Sequence, residues 1–123
     1  MNNLQVIFRV LGLKYISKEA YSQPDFEWEL NQYTREWRFH PKRKWRYDWA
    51  FPKKMVAIEQ EGIVYRKGQH PGRHLSPKGY TADIVKYNTG QMLGWTIFRL
   101  SYPMYFNGEA YRLIEDLKNK EWI

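Results

Sequence analysis

The stretch Trp45–Glu61, WRYDWAFPKKMVAIEQE, limits the possible folds more than any other part of the chain. Trp45, Tyr47, Trp49 and Phe51 alternate with Arg46, Asp48 and Ala50, the period-two pattern of a strand with one buried face. Pro52-Lys53-Lys54 breaks the pattern, because proline fixes φ and supplies no ladder donor. Met55–Glu61 resumes it, with Val56, Ile58 and Gln60 on one face and Ala57, Glu59 and Glu61 on the other. Two strands joined by a tight turn are expected, and their register decides what the carboxylates do. A turn spanning Pro52–Met55 pairs Phe51 with Val56 and sets Asp48 opposite Glu59, so that Asp48, Glu59 and Glu61 crowd one patch. Like charges that close need a cation or a proton between them, and oxygen-only ligands suit Mg²⁺ or Mn²⁺. A three-residue loop, Pro52–Lys54, pairs Phe51 with Met55 and sends Asp48 to the face away from Glu59. Glu59 and Glu61 are then solvated residues on a wet face. Both registers are open to the sequence.

The remainder of the chain bears on that choice. At 123 residues it is the size of one domain, residues 1–123, with a core of its own. The net charge of +7 points to a polyanionic partner, most simply nucleic acid. Aromatic residues make up 18% of the chain, enough to pack a sheet and to stack on bases. The absence of cysteine excludes a disulfide framework and any thiolate ligand or nucleophile. No apolar run approaches the roughly 20 residues that span a bilayer. The N-terminal stretch is interrupted by Arg9 and lacks a basic leader region and a cleavage site. No membrane partner and a cytoplasmic location are therefore expected.

In chain order, Leu4, Ile7, Phe8 and Leu11 form a helical stripe that Gly12 can end. Ser17–Pro24 reads as a loop. Asp25 is a candidate cap for a short helix, Phe26–Gln32, carrying Glu29. Thr34–His40 reads as a strand, and Pro41–Lys44 as a turn bearing Arg43 and Lys44. Gly62–Gly79 is a long Gly/Pro-rich loop with Arg66, Lys67, His70, Arg73, His74 and Lys78. Such a loop suits clamping a phosphate backbone. Tyr80–Leu93 reads as a helix with Tyr80, Ile84, Asn88 and Met92 on its apolar side. Asp83, Lys86 and Gly90 fall on the opposite side, and Gly94 follows as a C-terminal cap. Trp95–Leu100 is a strand, and Glu109–Lys120 a helix with Ala110, Leu113, Ile114 and Leu117 inward. Three hairpin-linked strands followed by a helical crossover to a fourth give an α/β fold (α+β, mixed sheet) with a C-terminal helix.

That order, with Asp48 on the second strand and Glu59-Gln60-Glu61 on the third, resembles the PD-(D/E)xK nuclease superfamily. The resemblance implies a restriction-endonuclease-like αβββαβ core in which a strand acid and an acid–x–lysine triplet hold the metal. Asp48 matches the first acid and Glu59 the second, Gln60 offers a backbone carbonyl, and Glu61 stands where the lysine usually is. Glu29 is the position onto which the family's first-helix glutamate carries. A narrower likeness spans Trp37 to Leu100. The segments WRFHPKRKWRYDWAFP, VAIEQEG, GRH and KGYTADIVKYNTGQMLGWTIFRL are similar to small phage and bacterial endonucleases of the very-short-patch-repair-like group. There His74 and Asp83 match a loop histidine and a helix acid.

The resemblance implies an Mg²⁺-dependent (or Mn²⁺-dependent) endonuclease acting on DNA in phage or bacterial repair, recombination or packaging. Branched DNA such as a Holliday junction is one expected substrate, and cutting two symmetric strands would call for a homodimer. Asp48, Glu59, Gln60, Glu61 and Glu29 are the candidate metal ligands. Asp48, Glu59 and Glu61, with His74 as acid or base and Lys86 reaching from the helix, are the candidate catalytic set. The plainer reading of Lys86 is half of an exposed helix pair with Asp83, worth only about 0.2–0.5 kcal/mol. Asn88, on the apolar side, is expected to make a buried hydrogen bond. Arg43, Lys44, Arg66, Lys67, Arg73 and Lys78 are the candidate nucleic-acid contacts. The alternative is a non-catalytic nucleic-acid-binding protein with its acids solvated.

Overall fold

The computed structural model describes residues 3–61 and 77–123. In chain order these form α1 (Leu4–Val10), β1 (Lys14–Tyr15), α2 (Lys18–Tyr21), β2 (Gln32–Arg38), β3 (Arg46–Phe51) and β4 (Val56–Glu61). After these come α3 (Pro77–Met92), β5 (Thr96–Ser101), a 3₁₀ turn (Tyr102–Tyr105) and α4 (Glu109–Asn119). The five strands make one mixed sheet in sequence order. β2, β3 and β4 are an antiparallel meander, and β5 returns parallel to β4 after α3. The short β1 adds to the other edge, parallel to β2. This is the expected mixed sheet with a C-terminal helix.

Asn3 starts α1 by accepting the Val6 N–H at 2.9 Å, and Gly12 leaves the helix at φ +80°. The helix is shorter than the apolar stretch Met1–Ile16, because the chain turns at Gly12 into β1. α1 and α4 cover one face of the sheet. Leu4, Ile7 and Phe8 of α1 and Ile114 and Leu117 of α4 meet Trp49, Phe51, Val56 and Ile58 there. The other face carries a smaller cluster of Tyr47, Ala50, Ala57 and Trp95.

Two expectations fail for physical reasons. The helix Phe26–Gln32 does not form, and Asp25 caps nothing. Phe26 and Trp28 pack instead onto each other, and Trp28 onto Tyr21 and Trp37, with ring centroids 4.9–5.7 Å apart. Aromatic burial of this kind outweighs a marginal seven-residue helix. One turn of helix, α2, forms instead in the stretch read as a loop, capped by Ser17.

The second failure lies in β3, whose alternation is not continuous. Thr34 pairs with Ala50 and Arg35 with Trp49, and then Trp37 with Tyr47 and Arg38 with Arg46. The pair between them, Glu36 and Asp48, is missing from the ladder, and Glu36 has a left-handed φ of +54°. The register is the same on both sides of the gap, so no residue is inserted; the left-handed Glu36 and the unpaired Asp48 opposite it turn both strands over, and the side chains beyond exchange faces. Tyr47 therefore faces the smaller cluster while Trp49 and Phe51 face the larger one.

Candidate active site

The hairpin adopts the first of the two registers. Phe51 pairs with Val56, Ala50 with Ala57 and Trp49 with Ile58. There the β3–β4 ladder stops. Beyond it β3 stays with β2 as far as Arg46, while β4 stays with β5 as far as Glu61. The two strands fork at Asp48 and Glu59, and side chains take over the missing backbone bonds. The Asp48 N–H donates to Glu59 Oε2 at 3.3 Å, and the Gln60 N–H donates to Asp48 Oδ2 at 2.8 Å.

Glu59 is 3% exposed. Burial pushes its pKa up to about 8, helped by a hydrogen bond with the Asp48 carboxylate and by that group's charge. Glu59 therefore holds its proton more tightly than an ordinary carboxyl. One cation opposes this. Lys86 Nζ, from α3, lies 2.5 Å from Glu59 Oε1, and its side chain is only 16% exposed. The aromatic rings of Tyr47 and Tyr87 lie 5.7 and 5.6 Å from the ammonium.

α3 reaches this position because its polar side faces the sheet. Gly90, one turn after Lys86, is buried against Tyr47, and a Cβ there would overlap the Tyr47 hydroxyl. The side read as apolar is the exposed one: Tyr80 is 60% and Met92 79% exposed, and Ile84, Val85 and Asn88 are exposed too. Asn88 accordingly makes no buried hydrogen bond. The Lys86 ammonium binds a buried carboxylate instead of forming an exposed helix pair.

The remaining expected site residues divide clearly. Glu61 is on the same face of β4 as Glu59, but its Oε1 accepts from the Tyr87 hydroxyl and pairs with Arg99 Nε at 3.2 Å. The expected three-carboxylate patch is thus a pair plus a separately tethered acid. Burial and the Glu61 bond raise the pKa of the Tyr87 hydroxyl. The Gln60 side chain accepts from the Tyr105 hydroxyl at 2.9 Å, which leaves only its backbone for a ligand. Glu29 is exposed in the irregular stretch ahead of β2, its backbone bonded to Gln32, because the helix that would have carried it is absent. Among the described residues no group of three or more His, Asp or Glu side chains converges.

Arg43, Lys44 and Lys78 are exposed, with Arg43 stacked 4.2 Å over Trp45. His74, Arg66, Lys67 and Arg73 lie outside the described residues. Sequence reasoning missed four cations, Lys18, Arg35, Arg38 and Arg46, that line one recess with Tyr15, Tyr21 and Glu36. Strict alternation puts Arg35 and Arg38 on opposite faces. The reset at Glu36 brings them together, and an ordinary glutamate gives no sign of it in the sequence.

Among the described residues no helix is long and apolar enough to cross a membrane. Comparison with protein-family models, with curated proteins and with solved structures finds no match.

Proposed function

We propose that this chain is a metal-dependent endonuclease hydrolysing phosphodiester bonds in DNA, with Asp48, Glu59 and Lys86 at its centre. The observation that carries this reading is the meeting of two carboxylates and one lysine where β3 and β4 part. The donor set fits Mg²⁺ or Mn²⁺, since Mg²⁺ usually takes one or two carboxylates and completes its shell with water and substrate phosphate. Asp48 and Glu59 would hold the ion, with the Gln60 carbonyl beside them. When bound, a divalent ion supplies a Lewis acid and a water of lowered pKa.

The protein's own groups do the rest. Lys86 favours the ionised form of Glu59 and offers a cation to charge developing on the phosphoryl oxygens. It fills the role of the lysine that Glu61 replaces on the strand. Tyr87 and Arg99 hold Glu61 beside the pair. His74 remains the candidate acid or base. Glu59 must lose its proton to act as a ligand, so activity is expected to climb as pH rises toward about 8. A small basic domain of this kind suits branched DNA in the cytoplasm of a bacterium or a phage-infected host, acting on a junction as a homodimer.

The test is cleavage of linear, nicked and four-way DNA with Mg²⁺ and with chelator. Chelator-sensitive cutting should fall at least about a hundredfold in Asp48→Asn, Glu59→Gln and Lys86→Met. Salt-sensitive binding with no cutting under any of these conditions would instead leave a non-catalytic nucleic-acid-binding protein.

A further inference from the structure

Lys18, Arg35, Arg38 and Arg46 converge on one recess of about 620 Å³, between β2, the start of β3 and α2. All four are exposed. The one acid in the wall is Glu36, and among the described residues no carboxylate lies within ion-pair distance of any of the four. Exposed cations repel one another, and a chain that gathers four around one carboxylate has a local excess of positive charge. The arginines are held in place. Arg35 sits 5.1 Å over the Trp49 ring, and Arg38 donates to the carbonyls of Arg43 and Lys42. These contacts tie Arg38 to the backbone of the neighbouring turn, which carries the exposed Arg43 and Lys44.

The recess also stands level with the acid pair. Arg35 pairs with Trp49 and Trp37 with Tyr47, so Glu36 in the recess wall falls beside Asp48, one strand away. Neighbouring strands are about 4.8 Å apart. Arg35 lies over Trp49 on the face that α1 and α4 cover, whereas Lys86 meets Glu59 from the α3 side, so the recess and the fork are neighbours along the sheet but open on different faces. We infer that this recess seats backbone phosphates of the bound nucleic acid, away from the site of cutting. Phosphate contacts of this kind fix position and register without reading sequence. The inference rests on the proposed function for what is cut, but it makes a separate claim about what is held.

The experiment measures binding of a fluorescein-labelled oligonucleotide by anisotropy in chelator, where no cutting occurs, across a series of salt concentrations. Arg35→Ala/Arg46→Ala should weaken binding about tenfold and flatten the slope of log K against log salt by about 1.5, as expected for two lost phosphate contacts. Lys53→Ala/Lys120→Ala removes the same charge from exposed positions elsewhere and should change affinity less than about twofold. Arg35→Lys/Arg46→Lys should keep most of the salt slope. Matching thermal melts confirm that the variants fold. If the alanine pair binds like the Lys53/Lys120 control, or if polyglutamate of equal charge displaces the oligonucleotide as well as unlabelled DNA does, the assignment is overturned. Cleavage in Mg²⁺ separates the two claims. Wild-type protein that binds through the recess but never cuts overturns the nuclease reading alone. An alanine pair that binds and cuts like wild type overturns the recess alone.

Discussion

α4 and α3 flank opposite faces of the same sheet and obey different rules. α4 buries Ala110, Ile114 and Leu117 and leaves its charges outside, as its apolar spacing demands. α3 does the reverse. Its apolar residues Tyr80, Ile84, Val85 and Met92 are exposed, and Lys86, Tyr87 and Gly90 meet the sheet. α4 is held by apolar burial. α3 is held by an ion pair to Glu59, a hydroxyl bond to Glu61 and close contact at Gly90. A helix that builds the core follows its hydrophobic stripe, whereas a helix that serves a polar site is oriented by the site.

That contrast predicts different outcomes for a mutant in each helix. Ile114→Ala should cost about 2–5 kcal/mol in denaturant melts, by leaving a cavity, while the surviving folded protein keeps its chemistry. Lys86→Met should lose cleavage and also lower the melting temperature, because it removes the ion pair that holds α3 to Glu59, with the loss shrinking at low pH where Glu59 takes up a proton. A Lys86→Met protein that melts and cuts like wild type would mean that the ion pair neither holds α3 nor serves the site.

The next effect concerns pH. Burial pushes the pKa of Glu59 up to about 8, whereas an ordinary glutamate carboxyl releases its proton near 4.5. The folded state therefore binds more protons across this window, and stability must fall as pH rises through it, by up to about 1.4 kcal/mol per pH unit. In chelator, wild-type melting temperature should decline from pH 5 to pH 8 relative to Glu59→Gln. Added Mg²⁺ should recover most at the alkaline end, because a cation replaces the lost proton.

Gly90 comes next. Gly90→Ala pushes a methyl into the Tyr47 hydroxyl and should cost about 1–3 kcal/mol by overpacking. The Tyr47 hydroxyl is buried and makes no hydrogen bond, so Tyr47→Phe removes nothing favourable. Adding Tyr47→Phe should recover part of the Gly90→Ala loss, and strict additivity would show that α3 approaches the sheet elsewhere. The smallest effect belongs to the exposed stripe: Met92→Ser should shift stability by less than about 0.5 kcal/mol.

The fold and site were legible in the sequence wherever local chemistry decides. The hairpin was legible from the alternation on either side of Pro52, but its register was not: both turns were open to the sequence, and the structure takes the one that sets Asp48 beside Glu59. Gly12 at the end of α1 and the stripes of α1 and α4 matched their structure. What stayed hidden depends on distant partners. Nothing local to Glu36 announces a left-handed backbone, which costs about 1–2 kcal/mol and yet turns Tyr47 away from Trp49 and gathers Arg35 with Arg38. The orientation of α3 follows from Glu59 and Tyr47, far away in the chain, and the loss of the Phe26–Gln32 helix follows from Tyr21 and Trp37. Glu61 was placed on the correct face, but its capture by Tyr87 and Arg99 depended on that same orientation.

The account stands on Asp48 and Glu59 holding a divalent ion, with Glu59 giving up its proton to do so. Titration calorimetry of Mn²⁺ into protein bound to a non-cleavable oligonucleotide, run near pH 7 in two buffers of different ionisation heat, measures this directly. The predicted result is saturable uptake accompanied by proton release, with both lost in Glu59→Gln. An absence of uptake, or uptake that Glu59→Gln leaves unchanged, would contradict it.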